Sequence, residues 1–226
     1  MKRNHLSIIL GMALIALLMG SCDALFENQF GNAGLGQPTT AELAEQAASS
    51  DPVVAQPALA LLVEAELDEA NATPLITNLV DVLLTQGSTL DSTSMDSFLG
   101  ALVPDTLLDN PGDLADAIDA IEATLANLST LAGTVTGDSY EVEGLNTQNL
   151  AMTAALATIF DALDPGPGYG SVGEALEAFI NDPAASPDIN DYLAASSVDF
   201  DTLFADGSDV AILFGAAGVD FGEFNS

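Results

Sequence analysis

Two stretches of the chain hold residue types whose spacing could do chemistry. In "DFDTLFADGSD", Asp199, Asp201, Asp206 and Asp209 bring carboxylates together within one short segment. Hard cations such as Ca²⁺ take carboxylate oxygens, so this segment is the candidate metal site. It departs from an EF-hand loop, because Leu203 stands at the fifth position and no Glu stands at the twelfth. Asp199 also reads as a helix cap and Asp206-Gly207 as a turn, and a loose cation atmosphere is the competing reading. "DSYEVE", with Asp138, Glu141 and Glu143, is a sparser version. The second stretch, "GYGSVG" from Gly168 to Gly173, matches G-x-G-x-x-G and precedes a helical pattern. In dinucleotide-binding folds that loop follows a strand and its amides cradle a pyrophosphate. Here it follows the helical segment ending "IFDALDP", which favours an inter-helix loop. The same residues approach G-x-S-x-G, but Tyr169 occupies the first glycine position.

The groups that are missing exclude more than those present allow. Lys2, Arg3 and His5 are the only basic residues, so positions 22–226 contain none. Without histidine there is no imidazole acid–base pair, no Ser171 triad and no His-ligated zinc. Without lysine there is no Schiff-base chemistry. Paired carboxylates remain, as in glycosidases, but such sites also want aromatic platforms. Past position 22 the chain offers no Trp and three Tyr: Tyr140, Tyr169 and Tyr192. The expectation is no catalytic residues, no enzyme, and no cofactor other than Ca²⁺ at the aspartates.

The lone cysteine gives an address. Lys2 and Arg3 form a short positive leader, and Leu6 to Met19 is almost wholly apolar. That run has the length of a signal h-region and falls short of the ~20 residues of a spanning helix. Gly20, Ser21 and Cys22 follow. Residues 1–22 resemble a bacterial lipoprotein signal, whose lipobox here reads Leu18-Met19-Gly20-Ser21-Cys22. Met19 stands where that family usually has Leu, with Leu18 beside it. The resemblance implies cleavage before Cys22, lipidation of its thiol, and a partner in the membrane through this N-terminal lipid anchor. It places the rest of the chain in the bacterial cell envelope, facing the periplasm or the exterior. With one cysteine no intrachain disulfide forms, so the exported part depends on its core.

Composition defines what hangs from that anchor. The whole chain carries a net charge of −32; without Lys2 and Arg3, all 34 carboxylates remain and the charge becomes −34. Nucleic acid is excluded as a partner, since phosphate affinity comes from Lys and Arg. Charge of one sign usually signals disorder, but 49% of residues are hydrophobic and mean hydropathy is +0.36, enough for a sizeable core. With no side-chain salt bridge available beyond position 22, each carboxylate must be solvated, hydrogen-bonded, placed at a helix N-terminus or paired with a cation. Residues 22–38 read as the lipidated terminus and a Gly-rich tether, and 39–226 as a single acidic domain.

Helix signals recur through that domain. Thr39 with Glu42 and Ser171 with Glu174 form capping-box patterns. Polar caps followed by proline stand at Asp51-Pro52, Thr73-Pro74, Asn110-Pro111 and Ser186-Pro187. Leu114, Ile118, Ile121, Leu125, Leu128 and Leu131 make an apolar stripe that predicts one helix over 111–132, with Asp113, Asp116, Asp119 and Glu122 opposite. Leu156, Ile159, Phe160 and Leu163 predict another over 148–163. Shorter helices fit near 41–50, 57–70, 74–86, 95–103, 172–181, 187–196, 199–205 and 209–217. Gly87, Gly133 and Gly207 suit left-handed helix ends. "TVTGDSYEVEG", Thr134 to Gly144, is either a small hairpin or a loop. "VAILFGAAGVDFGEF", Val210 to Phe224, reads as a core helix and packed tail, with a docking element as its rival. The predicted fold is all-α: a compact bundle of roughly eight to ten short helices without a solenoid repeat. The function expected of it is non-enzymatic, through contacts with an unspecified protein partner or as a structural component. The alternative is a scaffold that binds a small ligand or Ca²⁺.

Overall fold

The capping residues begin the helices largely as their types require. In a computed structural model describing residues 38–86, 101–103, 107, 112–137, 139–182, 188–195 and 205–218, the Thr39–Glu42 box is closed at both ends. The Thr39 hydroxyl accepts the Glu42 N–H at 3.3 Å, and the Glu42 carboxylate accepts the Thr39 N–H at 2.8 Å. This starts α1 (Thr40–Ala47). Asp51 accepts the Val53 N–H at 3.1 Å, with Pro52 in the first helical position, and starts α2 (Pro52–Glu69). α2 runs through Pro57, whose missing N–H orphans the Val53 carbonyl in an exposed first turn where water can reach it. α3 (Thr73–Gln86), α4 (Asp113–Ala123), α5 (Leu125–Ala132), α6 (Thr147–Asp161), α7 (Val172–Ile180) and α8 (Asp209–Ala216) follow.

The described chain is therefore mostly helical. Two short strands were not foreseen: β1 (Asp164–Pro165) pairs antiparallel with β2 (Leu193–Ala195), Asp164 opposite Ala195 and Pro165 opposite Leu193. A two-residue strand needs close support, and it comes from the Gly166 N–H, which donates to the Tyr192 carbonyl at 2.7 Å. A Cβ at Gly166 would stand 2.4 Å from that oxygen, so no other residue fits there without moving the backbone.

α2 and α6 are central. Along α6, Leu150 to Ala157, Ile159 and Phe160 are buried, so nearly every face meets protein. It packs against α8, α4, α3 and α5, while α2 packs against α1, α5 and α4. One connected cluster of buried side chains runs from Ala55 to Phe214, with a small satellite of Leu43, Ala58, Leu61 and Leu62 between α1 and α2. α7 crosses α4 at Gly173, where an added Cβ would meet the Ala115 carbonyl and the Asp119 carboxylate, both at 2.6 Å.

Several local expectations are corrected. The stripe from Leu114 to Leu131 is buried except for the half-buried Leu125, but the helix breaks at Thr124 into α4 and α5. The buried Thr124 hydroxyl donates to the Ile121 carbonyl at 2.6 Å, a back-bond that competes with the helical ladder. The helix expected over 187–196 is instead a 3-10 turn at Ile189–Asp191 followed by β2, because Asp188 caps the short turn through the Asn190 N–H. α4 begins at Asp113 with Gly112 as its cap, later than Asn110-Pro111 indicates. Gly133 ends α5 with right-handed φ of −63°, whereas Gly207 takes the expected left-handed φ of 84°. Thr136 and Ser139 form a single bridge, so Thr134 to Gly144 is mostly loop. Ser186-Pro187, Gly87 and most of the helices expected over 95–103 and 199–205 lie outside the described residues.

Candidate functional site

The loop after β1 carries the arrangement closest to a built site. Tyr169 leaves "GYGSVG" beside Tyr192, which β2 and the Gly166 bond hold in place. Their ring centroids are 5.9 Å apart with a 30° tilt. Phe179 of α7 meets the Tyr192 ring edge-on at 5.7 Å and 68°. These separations fall within the preferred range for aromatic pairs. The Tyr192 hydroxyl donates to the Asp182 carboxylate just past the end of α7. Phe179 is buried, whereas Tyr169 and Tyr192 remain partly open to solvent.

The same loop departs from a dinucleotide-binding loop in two ways. The exposed Glu174 carboxylate accepts the Gly170 N–H at 2.6 Å, and the Ser171 hydroxyl accepts the Glu174 N–H at 3.2 Å. An amide that would face a phosphate already holds a carboxylate of its own chain. The strand ahead of the loop is two residues long and antiparallel, unlike the parallel strand of a dinucleotide fold.

Carboxylates elsewhere divide into two sets. At helix and turn starts they accept backbone amides. Glu177 takes the Gly112 N–H at 2.7 Å across the α7–α4 contact, and the Asp51, Glu42 and Asp188 carboxylates do the same locally. The hydrogen bonds from Thr39 hold Glu42 below the usual carboxylate value, and those from Asn190 do so for Asp188. Along helix flanks the sign reverses. Desolvation pushes Glu64 up, assisted by Asp68 one turn on. Desolvation also raises Glu66, against the Asn127 amide at 3.3 Å, and one Glu66 oxygen is buried without a hydrogen bond. Glu122 is raised by desolvation, then by Asp119 and Asp161.

Two further polar groups were not signalled by the sequence. Gln56 is fully buried in α2; its amide donates to the Thr134 carbonyl at 3.1 Å and accepts the Glu141 N–H at 2.9 Å. It ties the 134–144 loop to the core. Tyr140, in that loop, has a buried hydroxyl without a hydrogen bond, and burial pushes its phenol well up.

Of the candidate site residues singled out from sequence, Cys22, Asp138, Asp199 and Asp201 lie outside the described residues. Asp206 and Asp209 are exposed on either side of Gly207 and Ser208; Ser208, rather than an aspartate, caps α8 through the Ala211 N–H at 3.1 Å. Among the described residues no three His, Cys, Asp or Glu side chains converge as a metal site. Glu141 and Glu143 are exposed. Val210, Leu213 and Phe214 of α8 are buried in the main cluster, as a core helix requires, and Val219 to Phe224 lie outside the description. Among the described residues no helix is long and apolar enough to cross a membrane. No protein family model matches the chain, and no curated protein or solved structure matches it.

Proposed function

We propose that the chain is a lipid-anchored protein of a bacterial envelope, non-enzymatic, acting through protein contacts or as a structural component. Its acidic body, a bundle of eight to ten short helices, would face the periplasm or the exterior from a flexible tether. One observation carries this reading: the sole cysteine, Cys22, stands directly after an apolar signal-length run and two small residues. The absence of Lys, Arg and His from 22–226 supports the non-enzymatic part, because nucleophile activation and acid–base work are left to carboxylates alone. A second reading, an acidic scaffold that holds a small ligand or Ca²⁺, draws support from the aromatic and carboxylate groups brought together at Tyr169 and Tyr192.

Replacement of Cys22 by Ser tests the anchor. Native protein fractionates with membranes and takes up a labelled fatty acid, whereas Cys22→Ser carries no label and leaves the membrane fraction. Label retained by the variant, or wild type found wholly in the soluble fraction, overturns the proposal. Chemical crosslinking in intact envelopes then identifies the protein it contacts.

A further inference from the structure

We infer that the Tyr169–Tyr192 corner is a binding site for an organic cation, specifically a methylated or alkyl ammonium group. The inference rests on the ligand-binding reading of the acidic scaffold and is independent of the lipid anchor. Two partly exposed phenol rings sit 5.9 Å apart, and a third ring, Phe179, is buried edge-on beneath one of them. The pair is fixed rather than loose. Tyr192 is held by β2, by its carbonyl's bond to the Gly166 N–H at 2.7 Å and by its hydroxyl's bond to Asp182. Tyr169 is tied back to the Gly166 carbonyl at 3.2 Å.

Charge says what such a surface would take. An aromatic face attracts cations through its quadrupole. A phenol that donates a hydrogen bond to a carboxylate is polarised so that its ring face becomes more electron-rich, which strengthens that attraction. Asp182 supplies this at Tyr192, and the exposed Glu174 carboxylate is held one residue from Tyr169 by the Gly170 N–H. No Lys, Arg or His exists between positions 22 and 226, so no side chain of that stretch competes for the rings. The surrounding charge of 34 carboxylates draws cations in and repels anions. Hard ions such as Ca²⁺ prefer all-oxygen cages; a large, weakly hydrated ammonium is the cation that gains from an aromatic wall.

The test uses tetramethylammonium on the full chain, followed by the ring resonances of Tyr169 and Tyr192 and by tyrosine fluorescence. Without tryptophan, that fluorescence reports only the three tyrosines. The expected result is saturable perturbation of both rings by tetramethylammonium, with none from NaCl at equal ionic strength and none from uncharged tert-butanol. Tyr169→Leu should weaken binding by about threefold to thirtyfold, the range of a single cation–aromatic contact. Tyr192→Phe, which keeps the ring and loses the bond to Asp182, should weaken it less while leaving the helical circular dichroism unchanged. Equal response to NaCl, equal response to tert-butanol, or unchanged binding in Tyr169→Leu overturns the inference.

Discussion

Carboxylates at helix starts and carboxylates along the flanks of α2 and α4 solve the same problem in opposite ways. Positions 22–226 offer neither set a basic side chain to pair with. Glu42 and Asp188 take backbone amides that the first turn leaves unsatisfied, and their ionised forms are favoured. Glu64, Glu66 and Glu122 sit partly desolvated against apolar packing or other carboxylates, and their ionised forms are disfavoured. The difference teaches how a stretch without bases, positions 22–226, folds. At Glu42, Asp51, Glu174, Glu177 and Asp188, amide N–H groups of helix ends and loops do what lysine and arginine do elsewhere. Glu64, Glu66 and Glu122 have no such backbone amide relieving their desolvation, and their protonated forms are favoured instead.

The broadest way to break this comparison is salt. If repulsion among unpartnered acids dominates, raising NaCl from low to molar concentration should lift the melting temperature by on the order of 10 °C, as charges are screened within a Debye length. A melting temperature independent of salt would contradict it. A narrower test removes one amide-bound acid. Glu177→Ala leaves the partly buried Gly112 N–H without its acceptor at the start of α4. The expected cost is about 2 kcal/mol, or roughly 4–8 °C in the melt, with Glu177→Gln losing much less. Equal losses for the two variants would mean that the negative charge, rather than an acceptor for the Gly112 N–H, is what the contact requires.

The smallest effect is the sharpest in sign. Glu64, Glu66 and Glu122 hold their protons more tightly folded than unfolded, so their contribution is fully present below the ordinary value of 4.5 and is lost as pH rises through their raised folded values. Glu42 and Asp188 do the reverse: their contribution is present above the ordinary value and is lost as pH falls through the lowered folded one. Stability should therefore rise modestly as pH falls from neutral toward the ordinary value of 4.5 and fall again in stronger acid. Glu64→Gln, Glu66→Gln and Glu122→Gln combined should flatten the upper limb alone. A melt that falls steadily from pH 7 downward would reverse the assignment.

Much of the helical framework was legible because it is written locally. Thr39, Asp51, Ser171 and the stripe from Leu114 to Leu131 each state their role within a few residues, through caps and through a period near 3.6. The Tyr169–Tyr192 corner was not legible, since its two rings are brought together by a strand pair that no periodicity encodes. Residues 187–196 look helical by composition, yet the Asp188 cap and the pairing of Leu193 with Pro165 override that tendency. Gln56 and Glu177 carry no local signal of their roles. One is fully buried and bonded to a loop far along the chain, and the other caps a neighbouring helix. Tertiary hydrogen bonds of this kind leave no signature in the sequence near either partner.

The functional reading depends on a residue outside both sets of acids. Intact-mass measurement of the natural protein extracted from its membranes tests it most directly. The predicted mass is that of the chain beginning at Cys22 plus a thioether-linked diacylglyceryl group. A chain that still begins at Met1, or one that carries a free Cys22 thiol, would contradict it.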